Sequence, residues 1–88
     1  MTTKEIIEEV GEIAPEALLA DGFEDALIGT VQIFSKVVAL YDREKCIDIL
    51  MKRDGMERDD AEEYFDFNVT GGYVGEMTPA FASIMRKP

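Results

Sequence analysis

Residues 26–42, ALIGTVQIFSKVVALYD, set the class of fold for this chain. The segments 26–34 and 37–41 are rich in β-branched and other apolar residues, which is typical of strands. Their link at residues 35–36 is too short for a crossover, so the sequence predicts two antiparallel neighbours. Neither segment alternates cleanly between apolar and polar residues, which predicts burial on both faces over part of their length. Gly29 indicates a bulge or a close approach of the backbone.

The sequence before these strands predicts one helix and one short helical turn. Residues 3–14 carry an apolar stripe at helical spacing, and Thr3 is the predicted N-cap, with Glu5 near the positive end of the helix dipole. Pro15 cannot continue that helix without losing a hydrogen bond, but it can begin a second short helix. The side chains of this turn that are predicted to face the core are Ala17, Leu18 and Leu19.

The sequence after the strands predicts two further helices and a third strand. Asp42 is a good N-cap for a helix over 43–53, and another helix begins near Arg58. A strand is predicted over 78–85, with Pro79 at its start or at a sheet edge because proline cannot donate to a ladder. The predicted apolar face of the second of these helices comprises Ala61, Tyr64, Phe65, Asn68 and Val69.

Length and composition predict a single α+β domain over residues 1–88. The expected order is α-α-β-β-α-α-β, in which three to four helices pack on a small, mainly antiparallel three-stranded sheet. A hydrophobic content of 47% and a charged content of 32% are ordinary for a globular chain. The single cysteine, Cys46, cannot form an intrachain disulfide, so a reducing compartment and a core thiol are expected.

The charge of the chain is strongly acidic and unevenly distributed. The net charge is −10, and residues 1–25 and 54–76 each carry eight acidic residues against one basic residue. Direct binding to nucleic acid and adhesion to a membrane through basic residues are both disfavoured by this charge. Since no signal peptide and no membrane-spanning run are visible, a cytoplasmic location is expected.

Residues 65–75, FDFNVTGGYVG, attract attention because three glycines follow an amide side chain. A phosphate loop would place its glycines before a helix, whereas these follow one. We therefore expect Gly71 or Gly72 to end the helix in the left-handed conformation and Asn68 to bond to the chain leaving it. A small-ligand site is the alternative, and its predicted residues are Asn68, Gly71, Gly72 and Tyr73.

Acidic residues crowd the helix that begins near Arg58. They are spaced as a solvated helical face, which we favour over a calcium or magnesium site, and no metal site is predicted. Phe67 lies about 200° from Phe65 around the helix, so it is either exposed or covered by another element. The predicted partner-binding residues are Asp59, Asp60, Glu62, Glu63, Asp66 and Phe67.

An aromatic and methionine patch is expected near the end of the same helix. Such a patch predicts either self-association into a homodimer or a surface for another protein. Its predicted members are Tyr41, Tyr64, Tyr73, Phe67 and Met77.

Catalysis is not expected from this chain. It contains no histidine, the commonest general base, and Cys46 therefore lacks the partner that usually activates a thiolate. No cofactor motif is visible either, so neither an enzyme nor a cofactor is predicted.

Two long segments, ADGFEDALIG at 20–29 and the run from VVALYD to MTPAF at 37–81, resemble small uncharacterised accessory proteins encoded by tailed bacteriophages. The resemblance covers roughly residues 20–81 and includes the DGFEDA segment, the DGM turn and the EYFDFN helix end. It implies a phage origin and an accessory role in the cytoplasm of an infected bacterium. It carries no catalytic residue over to this chain.

Acidity and resemblance together predict an interaction protein that binds and inhibits a host protein. An acidic face can occupy a host surface that normally binds nucleic acid, and anti-defence is one such role. The alternatives are a small-ligand protein that sequesters a nucleotide, or a small assembly protein. An anionic ligand would require convergence of the basic residues Lys36, Arg43, Lys45 and Arg53.

Overall fold

The computed structural model describes residues 1–72 and 74–85 of the chain. A short 3-10 helix, Glu24–Ala26, precedes the first strand, and a π-helical turn, Asp66–Thr70, continues the third helix. The principal elements, in chain order, are α1 (Thr3–Ile13), β1 (Leu27–Ile33), β2 (Lys36–Asp42), α2 (Arg43–Asp54), α3 (Arg58–Phe65) and β3 (Ala80–Ala82).

The central hairpin confirms the predicted strands. β1 and β2 pair antiparallel, and Ile33 lies opposite Lys36 across a two-residue loop. The pairing shifts by one residue between Leu27 and Gly29, so the predicted bulge is present, and Gly29 adopts a φ of 154° there. Burial on both faces is confirmed in β2, where the adjacent residues Val38 and Ala39 are both buried.

The third strand corrects the prediction of a mainly antiparallel sheet. β3 pairs parallel with β2, Tyr41 lies opposite Phe81, and the strand order β1-β2-β3 makes the sheet mixed. The connection from β2 to β3 contains α2 and α3, which is long enough for a parallel return. β3 spans three residues rather than 78–85, and its predicted position at a sheet edge directly after Pro79 is confirmed.

The prediction of a short helix after Pro15 is wrong. The order of helices and strands is therefore α-β-β-α-α-β rather than α-α-β-β-α-α-β. The backbone there forms a local turn hydrogen bond, from Ala17 N–H to the Ala14 carbonyl at 3.0 Å, and is also held by distant partners. Leu18 N–H donates to the Met77 carbonyl at 3.2 Å, and Ala20 N–H donates to the Tyr41 hydroxyl at 2.8 Å. As a result Leu18 and Leu19 remain more than 40% exposed, contrary to the prediction that they face the core.

The helix termini follow local capping chemistry. The N-cap of α1 is Thr2 rather than Thr3, because Glu5 then stands three residues on and completes a reciprocal capping box. The hydrogen bonds of Glu5 with the backbone and side chain of Thr2 lower the pKa of the Glu5 carboxyl. The predicted cap of α2 is confirmed: Asp42 accepts from Lys45 N–H at 3.3 Å, and Gly55 ends the helix with a φ of 68°.

The core lies between the sheet and the helices. Phe65 meets Phe81 edge to face, with ring centroids 5.1 Å apart, and Phe81 lies 5.4 Å from the Tyr41 ring. Phe23 closes the other side of Phe65 at 6.0 Å. The predicted core position of Cys46 is confirmed, and burial raises the pKa of its thiol to about 12.

Candidate partner-binding surface

α3 is anchored to the core by one narrow stripe. Ala61 and Phe65, four residues apart, are both fully buried, and the Arg43 guanidinium lies 5.1 Å from the Phe65 ring centroid. Residues on the opposite side of a helix with so narrow a buried stripe point to solvent. Both Asp59 and Asp60 stand in the first turn, where the helix dipole favours negative charge.

Basic neighbours pair with two of the predicted acidic residues. Glu62 accepts from the Arg58 guanidinium at 2.7 Å, and Asp66 accepts from Arg43 at 2.9 Å. Arg58 also contacts Glu44 on α2, and this hydrogen bond raises the pKa of Arg58 and lowers that of Glu44. The charges of Glu62 and Asp66 are therefore paired within the molecule, and the Arg43–Asp66 and Arg58–Glu44 pairs link α3 and the turn after it to α2.

The remaining acidic residues present their charge to solvent. Asp59, Asp60 and Glu63 are exposed and form no ion pair within residues 1–72 and 74–85. Five residues line a shallow depression of about 360 Å³, and we call them the outer face of α3. They are Asp60, Glu63, Tyr64, Phe67 and Asn68. Asp59 lies outside this depression.

Phe67 is the apolar centre of the outer face of α3. Its side chain is 77% exposed, so the first of the two predicted alternatives, exposure, is confirmed. It belongs to the π-helical turn that follows α3, and such turns occur frequently at functional sites. The turn is held by side chains, because Asn68 donates from Nδ2 to the Tyr64 carbonyl at 3.1 Å and Thr70 donates to the Asp66 carbonyl at 3.2 Å.

The glycine segment ends this turn by a different geometry from the predicted one. Gly71 has a φ of −77° and a ψ of −8°, so it is right-handed, and Gly72 does not have a positive φ either. Glycine is needed at 71 for space, since a Cβ there would lie 2.9 Å from the Phe67 carbonyl oxygen. Asn68 is exposed rather than on a buried apolar face. Tyr73 lies outside the described residues.

The predicted aromatic and methionine patch is only partly assembled. Tyr41 is fully buried and Met77 is half-buried, whereas Tyr64 and Phe67 are exposed beside each other on the outer face of α3. The prediction that Tyr64 faces the core was therefore wrong. The spacing of Asp60, Glu63, Tyr64 and Phe67 at i, i+3, i+4 and i+7 is the sequence signal that places them on one helical face.

Asn68 and Gly72, two of the predicted ligand-binding residues, also line a separate apolar cleft of about 330 Å³. Asp21 is its acidic residue, and no lysine or arginine of the described residues lines it. Its main apolar walls are Leu18, Leu19, Phe23, Val69, Val74 and Phe81.

The four basic residues that an anionic ligand would require converge only in part. Lys45 and Arg53 line one open depression of about 480 Å³ together with Lys52, but Arg43 pairs with Asp66, and Lys36 lies at the hairpin loop. Three acidic residues also line that depression, so it carries no excess of positive charge. They are Glu24, Asp25 and Asp48.

The chain matches no protein-family model, no curated protein and no solved structure with significance. None of the helices in the described part of the chain is both long and apolar enough to cross a bilayer. Fold and surface together define a small acidic α+β protein with a mixed three-stranded sheet and an aromatic, acidic outer face on its third helix.

Proposed function

We propose that this protein binds a basic surface of another protein through the outer face of α3. The observation that carries the proposal is the exposed Phe67 ring beside the carboxylates of Asp60 and Glu63, which have no ion-pair partner among the described residues. An aromatic side chain supplies contact area at the centre of an interface, where binding energy concentrates. The surrounding carboxylates steer a basic partner toward it and set its orientation.

The pairing of the other carboxylates supports this assignment. Glu62 pairs with Arg58 inside α3, while Arg43–Asp66 and Arg58–Glu44 fix α3 on α2, so the helix presents a rigid surface to a partner. A rigid surface loses less conformational entropy on binding than a mobile one. We therefore narrow the predicted contact set to Asp60, Glu63 and Phe67, with Asp59 at its rim.

The resemblance to phage accessory proteins supplies the finer part of the proposal. The partner is a host protein in the cytoplasm of an infected bacterium, and binding inhibits it, with anti-defence as one such role. A host surface that binds nucleic acid is already basic, so a face with the charge of phosphates competes for it. The acidity of the whole chain, −10, adds long-range attraction to such a surface.

A capture experiment with matched variants tests the proposal. Tagged protein is incubated with nuclease-treated bacterial lysate at low and at high salt, and retained proteins are identified by mass spectrometry. We expect a basic protein that is retained at low salt and reduced at high salt. Asp60→Asn/Glu63→Gln and, separately, Phe67→Ser should each lower retention at least about tenfold, the loss typical of a central contact.

The control variant is Glu8→Gln/Glu12→Gln, which removes two charges from exposed positions of α1. It should retain the same protein. If the control lowers retention as much as the α3 variants do, total charge rather than the outer face of α3 determines binding, and the proposal is wrong.

The apolar cleft favours a second candidate function, binding of a small uncharged ligand. Its volume, about 330 Å³, is at the lower end of the range typical of ligand pockets, and its walls are apolar. The apolar lining favours an apolar ligand over the nucleotide that the sequence suggests. A thermal-shift screen with nucleotides and with apolar metabolites separates the two, since a ligand that binds the folded state raises Tm. Leu19→Gln should abolish the shift that an apolar ligand causes.

A further inference from the structure

β1 is an edge strand of the sheet, and α1 packs against it. It contains seven residues and pairs with β2 on one side only. In an antiparallel ladder every second residue directs its backbone N–H and C=O away from the partner strand. Because Ile33 and Lys36 close a two-residue loop as a bonded pair, Gln32 is one of these outward residues. Within the described part of the chain, no backbone hydrogen bond covers this side of β1.

Charge is missing from this strand in a chain that is otherwise rich in it. Residues 26–35 contain no ionisable side chain, although the whole chain carries −10. Natural edge strands are usually protected from pairing by lysine, by proline or by a covering element. β1 contains neither lysine nor proline, and its bulge at Gly29 leaves the half nearer the hairpin loop regular.

The surface along β1 is apolar and ends in an exposed aromatic residue. Phe34, at the hairpin loop, is 95% exposed, and Ile28 and Ile33 are 43% and 39% exposed. Ile13 and Met1 continue this surface across a small groove of about 160 Å³ between α1 and β1, with Glu9 as its ionisable residue.

The backbone at Phe34 is strained. Its φ is 55°, whereas Ser35 does not have a positive φ, and this is the pattern of a type II′ turn, whose first position favours glycine. A bulky aromatic residue that is both strained and exposed is poorly explained by the stability of the isolated molecule.

We propose that β1 is the interface of a homodimer, in which the β1 strands of two copies pair antiparallel about a twofold axis. Antiparallel pairing of one strand with itself is self-complementary, as a twofold interface requires. The outward backbone groups then gain hydrogen bonds, and Phe34 of each copy reaches the Ile28 region of the other. The pairing forms one continuous six-stranded sheet from two three-stranded ones.

The distribution of charge favours a second copy as the occupant over an unrelated partner. Two molecules of net charge −10 repel each other over most of their surfaces, and the neutral strand is where they can approach at least cost. β3 forms the other edge of the sheet, where Phe65 of α3 packs on Phe81. Pairing at β1 therefore leaves the outer face of α3 uncovered in each copy, so the dimer is independent of the proposed partner binding.

Sedimentation equilibrium of the full chain at about 0.05 M and about 0.5 M sodium chloride tests the dimer, because these salts differ greatly in screening length. We expect a dimer that is tighter at the higher salt, which screens repulsion between the copies. Partner binding through the outer face of α3 should respond to salt in the opposite direction, so failure of one proposal is distinguishable from failure of the other.

The decisive variants are Gln32→Lys, which places a cation in each of the two pairing strands, and Phe34→Gly, which removes the aromatic side chain and relieves the turn. Each should weaken dimerisation at least about tenfold. Phe67→Ser is the control and should leave the dimer intact. Phe34→Gly also keeps the test valid if Gln32→Lys fails to fold, which circular dichroism reports.

Three outcomes would overturn the proposal. They are a chain that remains monomeric at both salts, a dimer unaffected by Phe34→Gly, and a dimer lost in the Phe67→Ser control. The second would show that Phe34 does not reach the interface, and the third would place the interface on α3. A monomer that binds an extended peptide along β1 would assign the same edge to another chain.

Discussion

Cys46 shows how one buried residue couples stability to pH. Burial raises the pKa of its thiol from 9.0 to about 12, with Asp42 contributing in the same direction. The unfolded thiol ionises at lower pH than the folded one, so its contribution to stability is present below pH 9.0 and is lost as pH rises toward about 12.

We therefore expect the wild type to lose stability relative to Cys46→Ala as pH rises through this window. Urea unfolding of both chains at several pH values measures the difference, which removes the common contribution of Tyr41, whose pKa burial also raises. If the difference in unfolding free energy between the two chains does not change with pH, water reaches the thiol in the folded protein. Native Cys46 should also react slowly with iodoacetamide, and denatured Cys46 rapidly.

Phe34 and Phe67 are single exposed residues whose roles depend on different backbone geometries. Phe34 occupies a left-handed position at a hairpin loop, while Phe67 lies in a π-helical turn. Their separation on the molecule permits one surface to bind a second copy while the other binds a different partner.

Capping residues determine the ends of α1 and α2, whereas tertiary contacts stabilise α3. The ends of α1 and α2 follow from Thr2, Glu5, Asp42 and Gly55, each acting within a few residues. α3 has no side-chain cap hydrogen bond at its N-cap, Glu57. It is stabilised instead by burial of Ala61 and Phe65 and by ion pairs to α2.

The end of α3 provides a prediction with a matched control. A Cβ at Gly71 would lie 2.9 Å from the Phe67 carbonyl oxygen, whereas the nearest atom to a Cβ at Gly72 is 3.5 Å away. Gly71→Ala should therefore destabilise the protein by about 1–3 kcal/mol, the usual range for forced overpacking. Gly72→Ala should stay within about 0.5 kcal/mol of the wild type.

Urea unfolding measures both glycine variants. Equal effects would show that the π-helical turn adjusts without strain. Since the turn positions Phe67, Gly71→Ala should also weaken partner capture more than Gly72→Ala does.

The whole molecule depends on β3 more than its three residues suggest. Phe81 contacts both Tyr41 on β2 and Phe65 at the end of α3, so it joins the sheet to the helix that carries the proposed partner surface. Phe81→Ala should lower the free energy of unfolding by about 3 kcal/mol, the low end of the range for aromatic truncation, since the side chain is half-buried.

The control for Phe81→Ala is Ile84→Ala, which removes an exposed apolar side chain two residues beyond β3 and should change stability by less than about 0.5 kcal/mol. Thermal and urea unfolding measure both. A loss for Phe81→Ala no larger than that of the control would mean that β3 does not connect the sheet to α3.

Short-range patterns were sufficient for the hairpin, for its bulge, for α1, α2 and α3, and for the core position of Cys46. Strand composition, a short link and capping residues act over a few positions, so a sequence displays them directly. Spacing also placed acidic residues and Phe67 on α3. It did not separate the acidic residues that are paired from those that are free.

The remaining features depend on contacts between residues far apart in the chain. The parallel direction of β3 follows from the path of α2 and α3, and the irregular segment after Pro15 is held by Tyr41 and Met77. Arg43 reaches Asp66 across 23 residues, and Arg58 reaches Glu44 across 14 residues. Such long-range pairings are selected by the free energy of the whole folded chain, and no local pattern encodes them.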